Sequence, residues 1–381
     1  MNFIRDNIVK ILALIIIAVV VVVVTISCQN RETIVIEGAT KYTELENKLQ
    51  SAAIKYVGKN TYLLPRTTEK NTKVTAETLI KNKYLKELRA VDNKKVVCNG
   101  YVEISKKYDN KKDYRYVPHL KCGNLYETKG LGEYVKTNVD VVTSGDGLYK
   151  DNETYYYRGE YPDNYVKIGE RLYRIIEVTE DGYVKVISTD KTGYSYIWDN
   201  RYNSDKNDYY GINDFEKSRM KDNLIFLYNN KNEKDGEIYF TEEERNFMAD
   251  HDFCIGKRSE SDTAIFSEAD CSKTESLKVG LINISDYYRA SLSEKCKSTS
   301  NLDCNNYNYM FNLDRRFQSI TYATTIASSD NSYSYYLISN GNLTTTRTNR
   351  ATYIYPVFYM DSSALYVSGK GSYTDPYIVR W

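Results

Sequence analysis

The apolar positions change period along the chain, and each period predicts a different element. Residues 11–26 read ILALIIIAVVVVVVTI and carry no charge. With Ile8, Val9, Ser27 and Cys28 added and Lys10 snorkelling, the run approaches the ~20 residues that cross a bilayer. Beyond it, Leu45, Leu49, Ala52, Ala53 and Tyr56 recur at helical spacing and predict an amphipathic helix. A second helix is predicted after the turn around Pro65, with Thr75 as its N-cap and Leu79, Ile80, Tyr84, Leu85 and Leu88 as its apolar stripe. The period then falls to two. VVCNGYVEISKKY and DYRYVPHLKC, separated by DNKK, predict an antiparallel hairpin.

From residue 144 turn formers multiply: Gly145, Gly147, Gly159 and the run Pro162, Asp163, Asn164 punctuate tyrosine-bearing strands. Residues 173–178 and 183–187 alternate as a second hairpin across EDG. Met220, Leu224, Ile225 and Leu227 mark a helix, and another opens on a capping box of Thr241 and Glu244. GLINISDYYRA and LYVSGKGSYTDPYIV return to a strand pattern. The expected class is α+β, arranged as a cytoplasmic N-terminus (1–10), a transmembrane segment (11–28), a helix-plus-hairpin domain (40–127) and a larger β-rich α+β domain (144–381).

Charge and cysteine content place this architecture. Arg5 and Lys10 precede the apolar run, so the positive-inside rule keeps the N-terminus in the cytoplasm and sends the chain from Gln29 outward. The expected location is the cell membrane, single-pass, with the C-terminal ectodomain outside and the bacterial membrane engaged through residues 11–28. An uncleaved signal anchor ranks first. The alternative takes TISC as a lipobox with lipid on Cys28, although Thr25 stands where lipoboxes place Leu. Removing Cys28 leaves Cys98, Cys122, Cys254, Cys271, Cys296 and Cys304, an even set that reads in an exported chain as disulfides between near neighbours. Zinc finds no support: no CxxC occurs, and the two histidines, His119 and His251, are not at ligand spacing.

The overall balance narrows the function classes. Lys+Arg of 52 against Asp+Glu of 51 gives +1, which offers no summed field for nucleic acid. Thirty-nine tyrosines raise the aromatic share to 13%, a content that belongs to a folded chain.

The order of apolar segment, two helices and cysteine-bracketed hairpin over residues 1–127 resembles the small N-terminal domains of pilin-like exported proteins of Gram-positive bacteria. MNFIRDNIVK lacks the Gly-Phe-Thr-Leu-Ile-Glu type processing site of pilins. Residues 144–381 carry GDGLY, YYRGEYPDNYV, LYRII, IWD, VGLINISDYYRAS, YPVFYM and SGKGSYTDPYIV in order. This set resembles an uncharacterised exported surface-protein family of gut Firmicutes, whose members tend to carry Trp where Tyr173 stands and a Trp-Trp-Thr segment where QSITYAT stands. By analogy the resemblance implies a C-type-lectin-like or formylglycine-generating-enzyme-like fold, which does not itself carry function.

Candidate chemistry is sparse. Tyr155, Tyr156 and Tyr157 together with Tyr194, Tyr196 and Trp198 offer an aromatic platform for sugar rings or peptide, against the plainer reading of tyrosines covering a core. Residues 199–214 are rich in Asp and Asn but lack EF-hand spacing, so a solvated loop is expected rather than a calcium site. SGDGLYKDN and SGKGSYTDP resemble each other and read first as tight glycine turns, with a binding loop as the alternative. No GxSxG or HExxH occurs, and Glu242 to Glu244 suit a helix first turn. No catalytic or metal residue is assigned and no cofactor is implied. The expected function is a membrane-anchored extracytoplasmic binding or adhesion module for a surface ligand, glycan or protein. The alternatives are a component of a pilus-like assembly and a cell-wall hydrolase whose paired carboxylates would be visible only in space.

Overall fold

In the computed structural model the first apolar stripe forms α1 (Thr43–Lys59), which turns Leu49, Ala52, Ala53 and Val57 inward. The structure describes residues 41–107, 111–205, 207–259, 261–262, 264–293, 307–311, 313 and 343–381, with the strands 322–328 and 333–337 as backbone. The apolar segment 11–28 with Cys28, and Cys296 with Cys304, lie outside the described residues. Among the described residues no helix is long and apolar enough to cross a membrane. The architecture is α+β, dominated by sheet.

The second helix is shorter than its stripe. Thr75 Oγ1 accepts from Thr78 N as expected of an N-cap, but α2 ends at Lys81. Asn82 folds its amide back onto the Thr78 carbonyl, and Lys83 takes a left-handed φ of 62°. Tyr84, Leu85 and Leu88 therefore lie beyond the helix, and the Leu88 carbonyl pairs instead with Cys98 N.

Strands β1 (Thr72–Thr75), β2 (Asn99–Lys106), β3 (Tyr114–Cys122) and β4 (Tyr126–Glu127) form an antiparallel sheet in chain order. The predicted hairpin is β2 and β3, in register from Asn99 opposite Lys121 to Lys106 opposite Tyr114. Cys98 and Cys122 close its open end as a disulfide, with Cα atoms 4.1 Å apart. Helix α1 covers this sheet, and Val57, Val74, Leu79, Val102, Ile104 and Leu120 complete the proximal core. Fully burying an aliphatic side chain of this size stabilises by about 1.5–3 kcal/mol.

After α3 (Leu131–Asn138) the chain enters a larger sheet. Its strands are β5 (Gly147–Asp151), β6 (Thr154–Arg158), β7 (Tyr165–Ile168), β8 (Arg171–Val178), β9 (Val184–Ser188), β18 (Val357–Met360), β19 (Leu365–Ser368) and β20 (Tyr377–Arg380). The order is β18-β9-β8-β7-β20-β19, with the β5/β6 hairpin joined to β8. β20 runs parallel to β7, so the C-terminal strand inserts beside one formed more than two hundred residues earlier. Short pairs flank this sheet: β10 (Tyr196–Ile197) with β17 (Ala351–Thr352), and β11 (His251–Cys254) with β13 (Thr274–Leu277). A further sheet joins β12 (Lys257–Arg258) to β14 (Tyr322–Ser328), β15 (Tyr333–Leu337) and β16 (Leu343–Arg347).

Helices α4 (Arg219–Asn229) and α5 (Glu242–Phe247) form where the stripes predict them, and the Thr241/Glu244 capping box is present in both directions. GLINISDYYRA departs from its strand expectation. Residues Ile284–Ala290 form α6, because Asn283 and Asp286 make a second capping box and Ile284, Tyr287 and Tyr288 bury at helical spacing. Cys254 and Cys271 form the second disulfide, with Cα atoms 4.4 Å apart.

Two polar assemblies are sealed inside. Lys185 Nζ, on β9, donates to both oxygens of Asp286 at 2.9 and 2.8 Å and lies 3.9 Å from Glu177 of β8. Arg289 of α6 pairs with Glu177 at 2.5 Å, and Tyr359 of β18 donates to the same carboxylate at 3.0 Å. The second assembly ties the C-terminus to the proximal core. Arg380 donates to Glu46 of α1 at 2.6 Å, and Glu46 also accepts from Tyr126 at 2.7 Å and from Thr128. Beside it the Arg115 guanidinium lies 3.5 Å over the Trp381 ring and pairs with Asp361 at 3.1 Å. From Thr40 to Trp381 the chain is one compact unit built on these two cores.

Burial by itself would raise the Glu177 carboxyl, but Lys185 and Arg289 outweigh it and hold the group at about 2, below the ordinary 4.5. The native state keeps this carboxylate ionised while the unfolded chain takes up a proton, so its contribution is full above pH 4.5 and is lost as pH falls towards 2. We expect Lys185→Ala to lose about 3–5 kcal/mol at neutral pH by leaving a buried carboxylate uncompensated. Glu177→Gln should flatten the acid limb of the denaturation curve. A Lys185→Ala protein as stable as the parent in urea would refute this account.

Candidate functional site

Three separated glycine-turn motifs meet at one cleft of about 510 Å³ in the distal part. GDGLY supplies Asp146, Gly147 and Leu148, YYRGEYPDNYV supplies Tyr157 and the loop residues Tyr161 to Asp163, and SGKGSYTDPYIV supplies Lys370 and Tyr377. Helix α3 closes one side with Tyr134, and Asp140 follows it.

Close backbone approach locks the motifs together. Asp146 accepts from Glu160 N at 3.2 Å through Oδ1 and from Tyr161 N at 3.0 Å through Oδ2, so one carboxylate holds the neighbouring loop. Gly159 turns that loop at φ 110°, and a Cβ there would stand 2.0 Å from Asp146 Oδ1. Gly371, at φ 83°, packs against the Asp163 carbonyl, where a Cβ would stand at 2.4 Å, and its own carbonyl accepts from Tyr165 N at 2.7 Å. Gly145 and Gly147, at φ 75° and 152°, and Gly369 and Gly371, at φ 91° and 83°, give both glycine motifs the turns expected of them, and the turns also present a common wall.

The cleft is lined by tyrosine rings. Tyr134 stacks on Tyr366 at 3.5 Å between centroids, and Tyr377 meets both edge-on at 6.1 and 6.2 Å. Tyr161 is 58% exposed at the rim. Tyr157 is 2% exposed, and its hydroxyl neighbours that of Tyr377. Burial pushes that hydroxyl well above its ordinary pKa, with the nearby Tyr377 and Asp163 adding to the shift, so it remains a neutral donor. Burial raises Tyr377 likewise. Asp140, Asp163 and Lys370 enter no ion pair among the described residues.

Tyr194, Tyr196 and Trp198, the alternative aromatic platform, do not form one exposed surface. Trp198 is fully buried under α4, packed edge-on to Phe215 at 6.3 Å, with its carbonyl accepting from Met220 N. The largest apolar side chain of the run gains more by burial than by display, so only Tyr194 is exposed. Tyr196 is half-buried and donates to Glu237 at 3.3 Å. Tyr155 to Tyr157 stand on β6, in a different sheet from Tyr196. In the Asp- and Asn-rich loop, buried Asp199 accepts from Arg201 at 2.9 Å and from Ile212 N at 2.7 Å, which spends it on closing the loop. Among the described residues no group of three His, Cys, Asp or Glu side chains is placed to hold a metal ion.

A second groove, of about 530 Å³, lies along the junction of the two cores. Three of its cations are ion-paired, Arg115 with Asp361, Lys278 with Asp250 at 2.8 Å and Lys107 with Asp113 at 3.3 Å, while Lys106 and Arg245 donate to the Arg66 and Phe240 carbonyls. The tyrosine cleft, with unmatched charges, is the stronger candidate.

Gly159→Ala should destabilise the fold by at least the ~1–2 kcal/mol of a left-handed alanine, and should speed hydrogen exchange at the Glu160 and Tyr161 amides. Unchanged exchange there would show that Asp146 does not hold the loop. Comparison of the chain with protein-family models, with curated proteins and with solved structures finds no match in any of the three.

Proposed function

We propose that the chain is a membrane-anchored, extracytoplasmic surface protein of the exported Gram-positive kind its motifs resemble, and that its distal part binds a surface saccharide in the tyrosine cleft. The observation that carries this reading is the convergence of three motifs, far apart in sequence, on one concave surface with aromatic walls and unmatched polar groups. Tyrosine faces pack against the C–H faces of sugar rings, while hydroxyls, carboxylates and an ammonium fix ring orientation. Two disulfides, Cys98–Cys122 and Cys254–Cys271, support an oxidising compartment. The apolar run at 11–28 and the basic residues before it support the anchor and its orientation.

Intact cells labelled with a membrane-impermeant amine reagent should modify lysines from Lys41 onward but not Lys10, and the reverse pattern would reject the orientation. For binding, Tyr161→Ala in the full-length, detergent-solubilised protein should weaken saccharide binding by about tenfold, the scale of one lost aromatic contact, without shifting the unfolding midpoint. Trp198→Ala should do the opposite, losing about 3–5 kcal/mol of stability as a core cavity forms. A Tyr161→Ala protein with undiminished binding would remove the cleft from the reading.

A further inference from the structure

We propose that Lys185 and Asp286 condense within the folded chain to a side-chain amide, an intramolecular isopeptide bond between β9 and α6, with Glu177 carrying the proton. In the ion pair Lys185 Nζ stands 2.9 and 2.8 Å from the two oxygens of Asp286, so the amine faces the carbon between them. Near-equal distances of this size put Nζ and Cγ no further apart than the ~3–3.5 Å of a near-attack pair. Burial supplies the second condition. The Lys185 and Asp286 side chains are 4% and 0% exposed, and the Tyr359 ring stands 5.4 Å from Nζ. Lys278 and Asp250 also meet at 2.8 Å but are 29% and 68% exposed, and hydration keeps such a pair ionised and separable. Out of water, two opposite charges convert more readily to a neutral amine and carboxylic acid, the species that react. The network also fits the reaction in charge. Condensation removes one cation and one anion together and leaves Arg289 paired with Glu177 at 2.5 Å, so no buried charge is orphaned.

Each step has a group in place. A proton passes from Nζ to Asp286 Oδ1 along their 2.9 Å hydrogen bond, leaving an amine and a carboxylic acid. The amine lone pair attacks Cγ to form the C–N bond, and negative charge gathers on Oδ2, which already accepts from Asn283 N at 2.8 Å. Glu177 Oε1, 3.9 Å from Nζ, takes the proton that the bonded nitrogen sheds. Lys185 is one of the two cations that hold Glu177 ionised, so loss of the lysine charge makes the carboxylate a stronger base when it is needed. Glu177 then returns the proton to the Oδ1 hydroxyl, the C–Oδ1 bond breaks and water leaves, beside an Arg289 guanidinium 3.7 Å from Oδ1. One ammonium and one carboxylate become one amide and one water, with no oxidant, reductant or co-reactant. The product joins elements 101 residues apart, and the chain between them stays tethered even when the fold opens.

The test is a tryptic digest of the full-length protein, purified in detergent and reduced. It should give a branched peptide that joins residues 175–191 to residues 279–289, uncut after Lys185 and lighter by one water than its two parts. Denatured and reduced, the intact chain should run ahead of its Asp286→Ala variant on a gel, because only the parent keeps a closed loop. Glu177→Gln should slow formation of the branched peptide by about a hundredfold or more, the scale of one proton carrier, in protein sampled at intervals after a pulse of synthesis. Its Cys254–Cys271 disulfide serves as the folding control. Linear peptides alone, cut after Lys185, would overturn the bond, and the parent digest decides this whether or not a variant folds. A branched peptide formed at the parent rate in Glu177→Gln would overturn the part assigned to Glu177.

Discussion

Lys185 is the point on which the distal part turns. Its ammonium is held by Asp286 on α6 and neighbours Glu177 on β8, while Arg289 and Tyr359 complete the coordination of Glu177. Two cations and two anions without bulk water hold together only if every member keeps its geometry, since an unmatched buried charge costs several kcal/mol. The network thus fixes α6 against the sheet. That position carries to the cleft, because Gly159 N donates to the Ala290 carbonyl and Arg158 to the Ser291 carbonyl, both at the end of α6. Gly159 leads to Asp146, and Asp146 to the loop bearing Tyr161. The cleft wall is therefore supported through a chain of contacts from a buried ion network.

The C-terminal strand makes a second connection. Tyr377 faces the cleft at one end of β20, while Arg380 at the other reaches Glu46 in the proximal core. A strand of four residues spans both features, so a load on the proximal part is transmitted to the cleft by main chain rather than by a linker. Because the Arg380 and Glu46 side chains are almost fully buried, separating the two cores would expose or orphan both charges. This makes independent motion of the two parts costly, in contrast to modules joined only by a hinge.

What the sequence disclosed followed from local periodicity. Leu49, Ala52 and Ala53 identified α1 because a 3.6-residue stripe is a property of neighbours, and Cys98 and Cys122 could be paired because a hairpin brings its ends together. The misses arose where a backbone decision overrode a side-chain pattern. Lys83 ends α2 by turning left-handed, although Leu85 and Leu88 continue the stripe. In GLINISDYYRA the alternation of apolar residues masked Asn283 and Asp286, whose reciprocal capping was the available helix signal. Trp198 could be either platform or core by sequence; it lies one residue beyond the two-residue strand β10, and its burial depends on α4, packed from elsewhere in the chain.

The glycine motifs show why structure and function need not compete for the same residues. Gly159 and Gly371 are required by close approach, which is a structural demand visible in sequence as turn chemistry. Sequence could not show that the two turns face each other, because their proximity depends on β20 pairing with β7 across the length of the domain. Once they do, the side chains flanking the glycines cannot choose their direction: Asp146 must face the loop it holds, and Tyr377, Asp163 and Lys370 are left around one concavity. A turn demanded by packing thereby becomes a fixed wall of the cleft.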